Sequence, residues 1–277
     1  TIPSTLTSFG QNVFKSDVGE GFDLIYNAAG LESCSMQGAK VLSIQFGSNV
    51  TVIPASIAQD NTNITSIVIP DRITKIGSHA FSNCTELASI VLPAGLTEIG
   101  NNAFDGCAKL TGTLTIPANV TEISSDAFAG TGYTKLVYNA KTATGSTSPN
   151  TPFPATIAEI EFGEGITRIL EYFMNENTLI KSVAIPEGVT EIGIGAFRFA
   201  SALESVTLPS TLESFGNSAR NALTFARTKI KSIVIPDKVT VIPKNMFTDC
   251  LELTSITFGS GVTQVNMLAS RPLSALQ

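Results

Sequence analysis

Apolar residues fall at fixed places along most of this chain, and the places recur. From Leu87 onward they are Leu87, Ile90, Leu92, Leu96, Ile99, Ala103, Phe104 and Cys107, with polar or small residues between them. Ser89–Pro93 alternates with a period of two, which predicts a strand with Ile90 and Leu92 turned inward. Pro93 has no amide proton to give to a ladder, so it ends that strand. Leu96–Ile99 keeps the alternation and predicts a second short strand on another face. Gly100 is read as freeing the turn that follows. Ala103–Phe104 is read as opening a short helical or 3₁₀ turn whose phenylalanine plugs a corner of the core.

The same order returns along the chain. Ser66–Leu87 (SIVIPDRITKIGSHAFSNCTEL) and Ser89–Leu110 (SIVLPAGLTEIGNNAFDGCAKL) are identical at 11 of 22 positions after a shift of 23 residues. The motif reappears from Ser182 and again from Ser232. A repeat of this length predicts a solenoid, in which each unit buries its apolar face only by stacking on its neighbours. The strand-end position, proline or a substitute, occurs 12 times between Pro3 and Gly259. That predicts a single domain over residues 1–277, with about twelve coils stacked over roughly 55 Å at ~4.8 Å per strand.

Some coils are irregular. Leu24–Ala28 (LIYNA) and Leu136–Ala140 (LVYNA) resemble each other and interrupt the series. Lys141–Thr156 is rich in Thr, Ser and Pro and is read as an unstructured back edge. Pro209 and Pro236 lie 27 residues apart, which places four extra residues near Asn217–Phe225 in a bulged outer loop. Val265–Gln277 drops the I-G-x-x-A-F signature and is read as a cap or the start of a continuation. Ile2–Phe14 aligns with Ile69–Phe81, so the chain opens inside a coil without a signal peptide, as a processed fragment would.

Composition narrows the function. Hydrophobic residues make up 43% of the chain, enough for a folded core, whereas charged residues are only 14%. Exposed positions are therefore filled largely by Ser, Thr, Asn and Gly, as on exposed β-structure. Net charge is −6 with no run of Lys or Arg, so the electrostatic footprint of a nucleic-acid partner is missing. No run reaches the ~18 apolar residues that a membrane span requires.

The order L-x-x-I-x-I-P-x-x-V-T-x-I-G-x-x-A-F-x-x-C holds over Val41–Gly130 and Ile157–Val265 and is recognisable in Ile2–Phe14. It resembles the BspA-like, or Treponema-type, leucine-rich repeat. The resemblance implies a leucine-rich-repeat solenoid, a right-handed β/α-type superhelix with a parallel sheet on its concave side. It also implies an exported or cell-surface protein of a host-associated bacterium that adheres to host or bacterial proteins. That family has no universal binding motif, so it assigns no functional residue.

The inventory for catalysis is thin. His79 is the single histidine and occupies a slot filled elsewhere by Asn102 and Gly195, so an exposed, solvated side chain is expected. Glu159, Glu161 and Glu164 form the densest carboxylate group, but Glu159 and Glu161 sit on the outward side of one strand. There they read as a solvated patch before a general acid–base pair. Asp60–Asn63 (DNTN) lacks the spacing of a calcium loop. Cys84, Cys107 and Cys250 share one small repeat slot with Ala200, read as buried thiols; a Cys84–Cys107 bridge is the alternative. No C-x-x-C pair, nucleophile elbow, phosphate loop or H-E-x-x-H occurs. Neither an enzyme nor a cofactor or metal is expected.

The outward rows carry more. Between the two inward residues of each first strand lie Gln45, Val68, Val91, Thr115, Glu161, Ala184, Thr207, Val234 and Thr257. These are the candidate binding residues for a protein ligand on the concave sheet, although small and β-branched residues also suit any curved sheet. Two other roles stay open: a carbohydrate-capture surface using Tyr138 or Tyr172, and a structural spacer. The lack of tryptophan weighs against sugar stacking. On the second strand, Lys75 beside Glu98 and Arg168 beside Glu191 predict ion pairs between coils. Asn49, Asn63, Asn83 and Asn119 each open an N-x-T sequon, read as repeat-position polar residues.

Overall fold

The computed structural model describes residues 1–8, 20–145, 149–216 and 222–266. They form a stack of coils, about ten turns, in which every strand pairing is parallel. Twelve strand ends thus enclose fewer complete turns, because the first and last lack a full turn among the described residues. Residues 9–19, including Phe14, and 267–277 lie outside them.

Each regular coil has three faces. The first strands are Phe22–Tyr26, Val41–Phe46, Thr111–Ile116, Gly132–Tyr138, Glu159–Phe162, Ser182–Ala184, Ser205–Thr207, Ser232–Ile235 and Ser255–Phe258. The second strands are two residues long, as the short V-T-x-I segment dictates. Val52–Ile53, Lys75–Ile76, Glu98–Ile99, Glu122–Ile123 and Thr144–Gly145 make one five-stranded sheet. The register Lys75↔Glu98 and Arg168↔Glu191 is as the pattern predicts, and both ion pairs form, at 2.6 and 3.1 Å.

The third face differs from expectation. Among the described residues there is no helix: Ala103–Phe104 begins a turn, not a 3₁₀ segment. Its amides alternate in role. Phe81 N donates to Ala103 O of the next coil, and Phe104 N to Ala127 O, both at 2.8 Å. The intervening amides reach back three residues, as Cys84 N does to Phe81 O. This alternation needs left-handed backbone every fourth residue, seen at His79 (φ 55), Asn83 (φ 58) and Asn102 (φ 54). A helix would close its hydrogen bonds within one coil, whereas this turn spends half of them on the neighbour.

Gly100 is required for a different reason than the one the pattern implied. Its backbone is not left-handed; a Cβ there would sit 2.6 Å from Ser78 N of the preceding coil. Glycine at this slot lets two backbones approach closely, not turn freely.

The core is one apolar cluster running from Leu24 to Met246. Phe81, Phe104 and Phe128 stack at 5.3 and 5.4 Å. Phe153 continues the column at 6.4 Å from Phe128. The described residues of Lys141–Thr156, all but 146–148, are therefore part of a coil and not an unstructured edge: Thr144–Gly145 pairs with Glu122–Ile123, and Phe153 is buried. Ile90 and Leu92 are only partly buried, though packed on the core. The strand expected over Ser89–Pro93 does not form: that segment and the one at Ser66 join the first-strand face through the single bridge Ser66↔Ser89. Of the extra residues expected near Asn217–Phe225, residues 217–221 lie outside the described part. Leu223 turns left-handed (φ 49), and Phe225 rejoins the column 5.9 Å from Phe197.

Candidate functional site

Alternation along the first strands turns one side chain in two toward the core and leaves the other in solvent. All nine candidates, Gln45, Val68, Val91, Thr115, Glu161, Ala184, Thr207, Val234 and Thr257, are exposed. Register brings neighbours side by side, with Ala184 beside Thr207 and Val234 beside Thr257. The row has members the repeat comparison passed over, because they lie in the irregular LIYNA and LVYNA coils. Ile25 pairs with Gln45, and Val137 lies between Thr115 and Glu161.

This face has three zones. Val68 and Val91 are 81% and 79% exposed, an apolar pair on adjacent coils. In the middle, Lys135 stands beside Glu159 in register, its Nζ 2.7 Å from Glu159 and 3.0 Å from Glu161. Hydrogen bonds that Lys135 donates to Glu159 and then to Glu161 hold its ammonium above its ordinary pKa. The acidic patch expected there is thus partly neutralised by a lysine in a coil set aside as irregular.

The third zone is a groove. Ser205–Thr207 and Ser232–Ile235 are successive first strands, yet they belong to separate sheets with no ladder between them. The groove encloses about 680 Å³, with Val206, Leu208, Val234 and Phe258 on its apolar walls. Glu187 and Asp237 line it as well, each following a strand-end proline. Ser210 clamps Glu187 through its amide (2.9 Å) and hydroxyl (3.0 Å). These bonds, the amide's foremost, hold the Glu187 carboxyl below its usual range. Ser260 grips Asp237 in turn, through amide and hydroxyl bonds of 2.7 and 3.1 Å to Oδ1.

Other candidates resolve differently. Tyr138 is completely buried, ringed by Phe153, Phe162 and Phe173. It is the second inward residue of its strand, and an outward sugar-stacking role is ruled out by that alternation. Its hydroxyl has no partner among the described residues. Tyr172 is half-buried and left-handed (φ 52). His79 is also half-buried, not exposed, because its slot belongs to the turn that hydrogen-bonds the next coil. Asp60 and Asn61 are turn and coil-linking groups: Asp60 accepts from Gln37 and Asn83, and Asn61 Oδ1 accepts from the amides of Asn63 and Ile64.

The cysteine slot holds thiols, and it is polar as well as small. Cys84 Sγ donates to Ala58 O and Cys107 Sγ to Phe81 O, each at 3.1 Å. Asn61, Thr131, Asn177 and Thr228 fill the same slot and also donate to carbonyls. That shared donor chemistry was visible in the sequence; attention to size hid it.

Comparison with known proteins fits this geometry. A family model described as "BspA type Leucine rich repeat region", in 6 copies, matches residues 51–153, 111–223 and 219–269. No curated protein matches the chain. Among solved structures, a leucine-rich repeat protein from Bacteroides ovatus is similar at 19% identity and TM-score 0.57, covering 92% of this chain and 70% of that one. The pneumococcal vaccine antigen PcpA is similar at 20% identity and TM-score 0.51, covering 90% and 69%. With the family model spanning most of the coils, the chain belongs to the BspA-type leucine-rich repeat family.

Proposed function

We propose that this chain is a non-enzymatic adhesion or protein-interaction module displayed outside the cell, and that the outward face of its first strands is the binding platform. The observation that carries the reading is the uncovered row from Ile25 to Thr257. Its side chains project in register, and no other described element packs over them. Small and β-branched residues make that row even, and its charges are sparse. Such a surface suits another protein better than a charged polymer. The solved relative named as a vaccine antigen supports placement at a cell surface. With Tyr26, Tyr133 and Tyr138 buried and no tryptophan, sugar stacking has little support here.

The test is a binding panel of immobilised host matrix proteins and mucins, run with the wild type and with Val68→Lys/Val91→Lys and Val234→Lys variants. All three substituted positions are solvent-exposed, so the fold should survive. Binding that weakens by about tenfold or more in at least one variant supports the platform. A ligand held equally by every variant would place binding on another face and end this reading.

A further inference from the structure

The groove between Ser205–Thr207 and Ser232–Ile235 has a chemistry of its own, and the following deepens the proposal above and rests on it. Its apolar walls are open: Val234 is 65% and Phe258 41% exposed. Two carboxylates line it, Glu187 and Asp237, and no Lys or Arg among the described residues joins them in the lining. The two carboxylates occupy equivalent positions after Pro186 and Pro236. The serine clamp on Asp237 engages Oδ1 alone, leaving Oδ2 outside it.

The backbone contributes as well. Ile185 N donates to Thr207 O at 3.0 Å, bridging two coils. Leu208 is its repeat equivalent, and it makes no such bond across the groove. The two strands stay close neighbours even so, and the missing ladder leaves a seam in this face at the groove. The break falls in the one coil lengthened to 27 residues between strand ends.

We infer that this groove binds an extended segment of a partner protein that carries a lysine or arginine next to a large aliphatic or aromatic side chain. The apolar side chain packs on Val206, Leu208, Val234 and Phe258, and the cation meets Asp237 and Glu187. A chain of net charge −6 attracts such a segment and repels an acidic one.

The experiment pans a phage library of random dodecapeptides on the wild type, with counter-selection on Val234→Lys. Circular dichroism and melting first verify that each variant is folded. The expected clones pair Lys or Arg with Leu, Ile or Phe and avoid Asp and Glu. They bind the wild type about tenfold or more tighter than Val234→Lys, weaken on Asp237→Asn, and are indifferent to Val68→Lys. Acidic clones, or none that distinguish Val234→Lys, overturn the inference. Clones that respond to Val68→Lys alone overturn it too, yet leave the broader platform standing. If Val234→Lys instead dissolves a dimer of the free protein, the groove belongs to a second copy and the inference also fails.

Discussion

At the scale of single residues, each slot of the repeat answers one local demand. Phe104 lies between Phe81 and Phe128 with no exposed surface. Phe104→Ala removes a ring from a column that cannot close over the gap, so it should destabilise by about 3–5 kcal/mol in denaturant melts. An unchanged midpoint would contradict the inward placement. The slot two residues after the phenylalanine demands left-handed backbone, and Asn83, Gly106 and Gly130 supply it at low cost. Phe199, at φ 59, is the bulky occupant; Arg198 and Arg227 stack on its ring at 4.1 and 4.8 Å.

At the scale of elements, the irregular coils are matched pairs. Tyr-Asn in one coil is followed by Phe-Gly in the next, at Tyr26-Asn27 with Phe46-Gly47 and at Tyr138-Asn139 with Phe162-Gly163. The asparagine explains the glycine. A Cβ on Gly163 would lie 2.1 Å from Asn139 Oδ1, while Asn139 Nδ2 is tied to Ile116 O at 3.1 Å. Gly163→Ala should therefore cost about 1–3 kcal/mol by overpacking. Combined with Asn139→Ala, the penalty should shrink, giving a coupling of about 0.5–3 kcal/mol in a double-mutant cycle. Strict additivity would mean that the two residues do not interlock.

At the scale of the molecule, the alternation of apolar positions placed most of the core of the regular coils, because burial on stacked coils follows side-chain periodicity; Ile90 and Leu92, only partly buried, are exceptions. It also placed the outward row, and for the same reason. What it left out depends on distances between coils. Val91 and Val234 read alike as outward residues of a first strand. Only the spacing of neighbouring backbones decides that Ser232–Ile235 pairs with Ser255–Phe258 while leaving a groove toward Ser205–Thr207. Phe153 escaped because its coil lacks the A-F signature, and Lys135 because its coil was set aside with LVYNA. The thiols test the stack as a whole. Cys34, Cys84 and Cys107 are fully buried, and burial pushes the Cys34 thiol up to about 12. Cys250, in the last complete turns, is partly exposed. In the native protein at pH 8 a thiol reagent should modify Cys250 first and the other three only after denaturation. Modification of Cys84 or Cys107 as quickly as Cys250 would show that the inner coils open independently of the ends.

One feature of the turn face reaches beyond stability. Among the described turn segments from Ser56 to Arg227, each amide that leaves its own coil gives its proton to the coil that follows, as Ser56 N does to Ser78 O and Arg227 N to Thr248 O. In the parallel sheets the two directions cancel; here they add, each peptide unit contributing a dipole of about 3.5 D. The stack is consequently polarised along its length, with its late end electropositive and its early end electronegative on that side. Two such stacks would attract in file and repel when like ends meet.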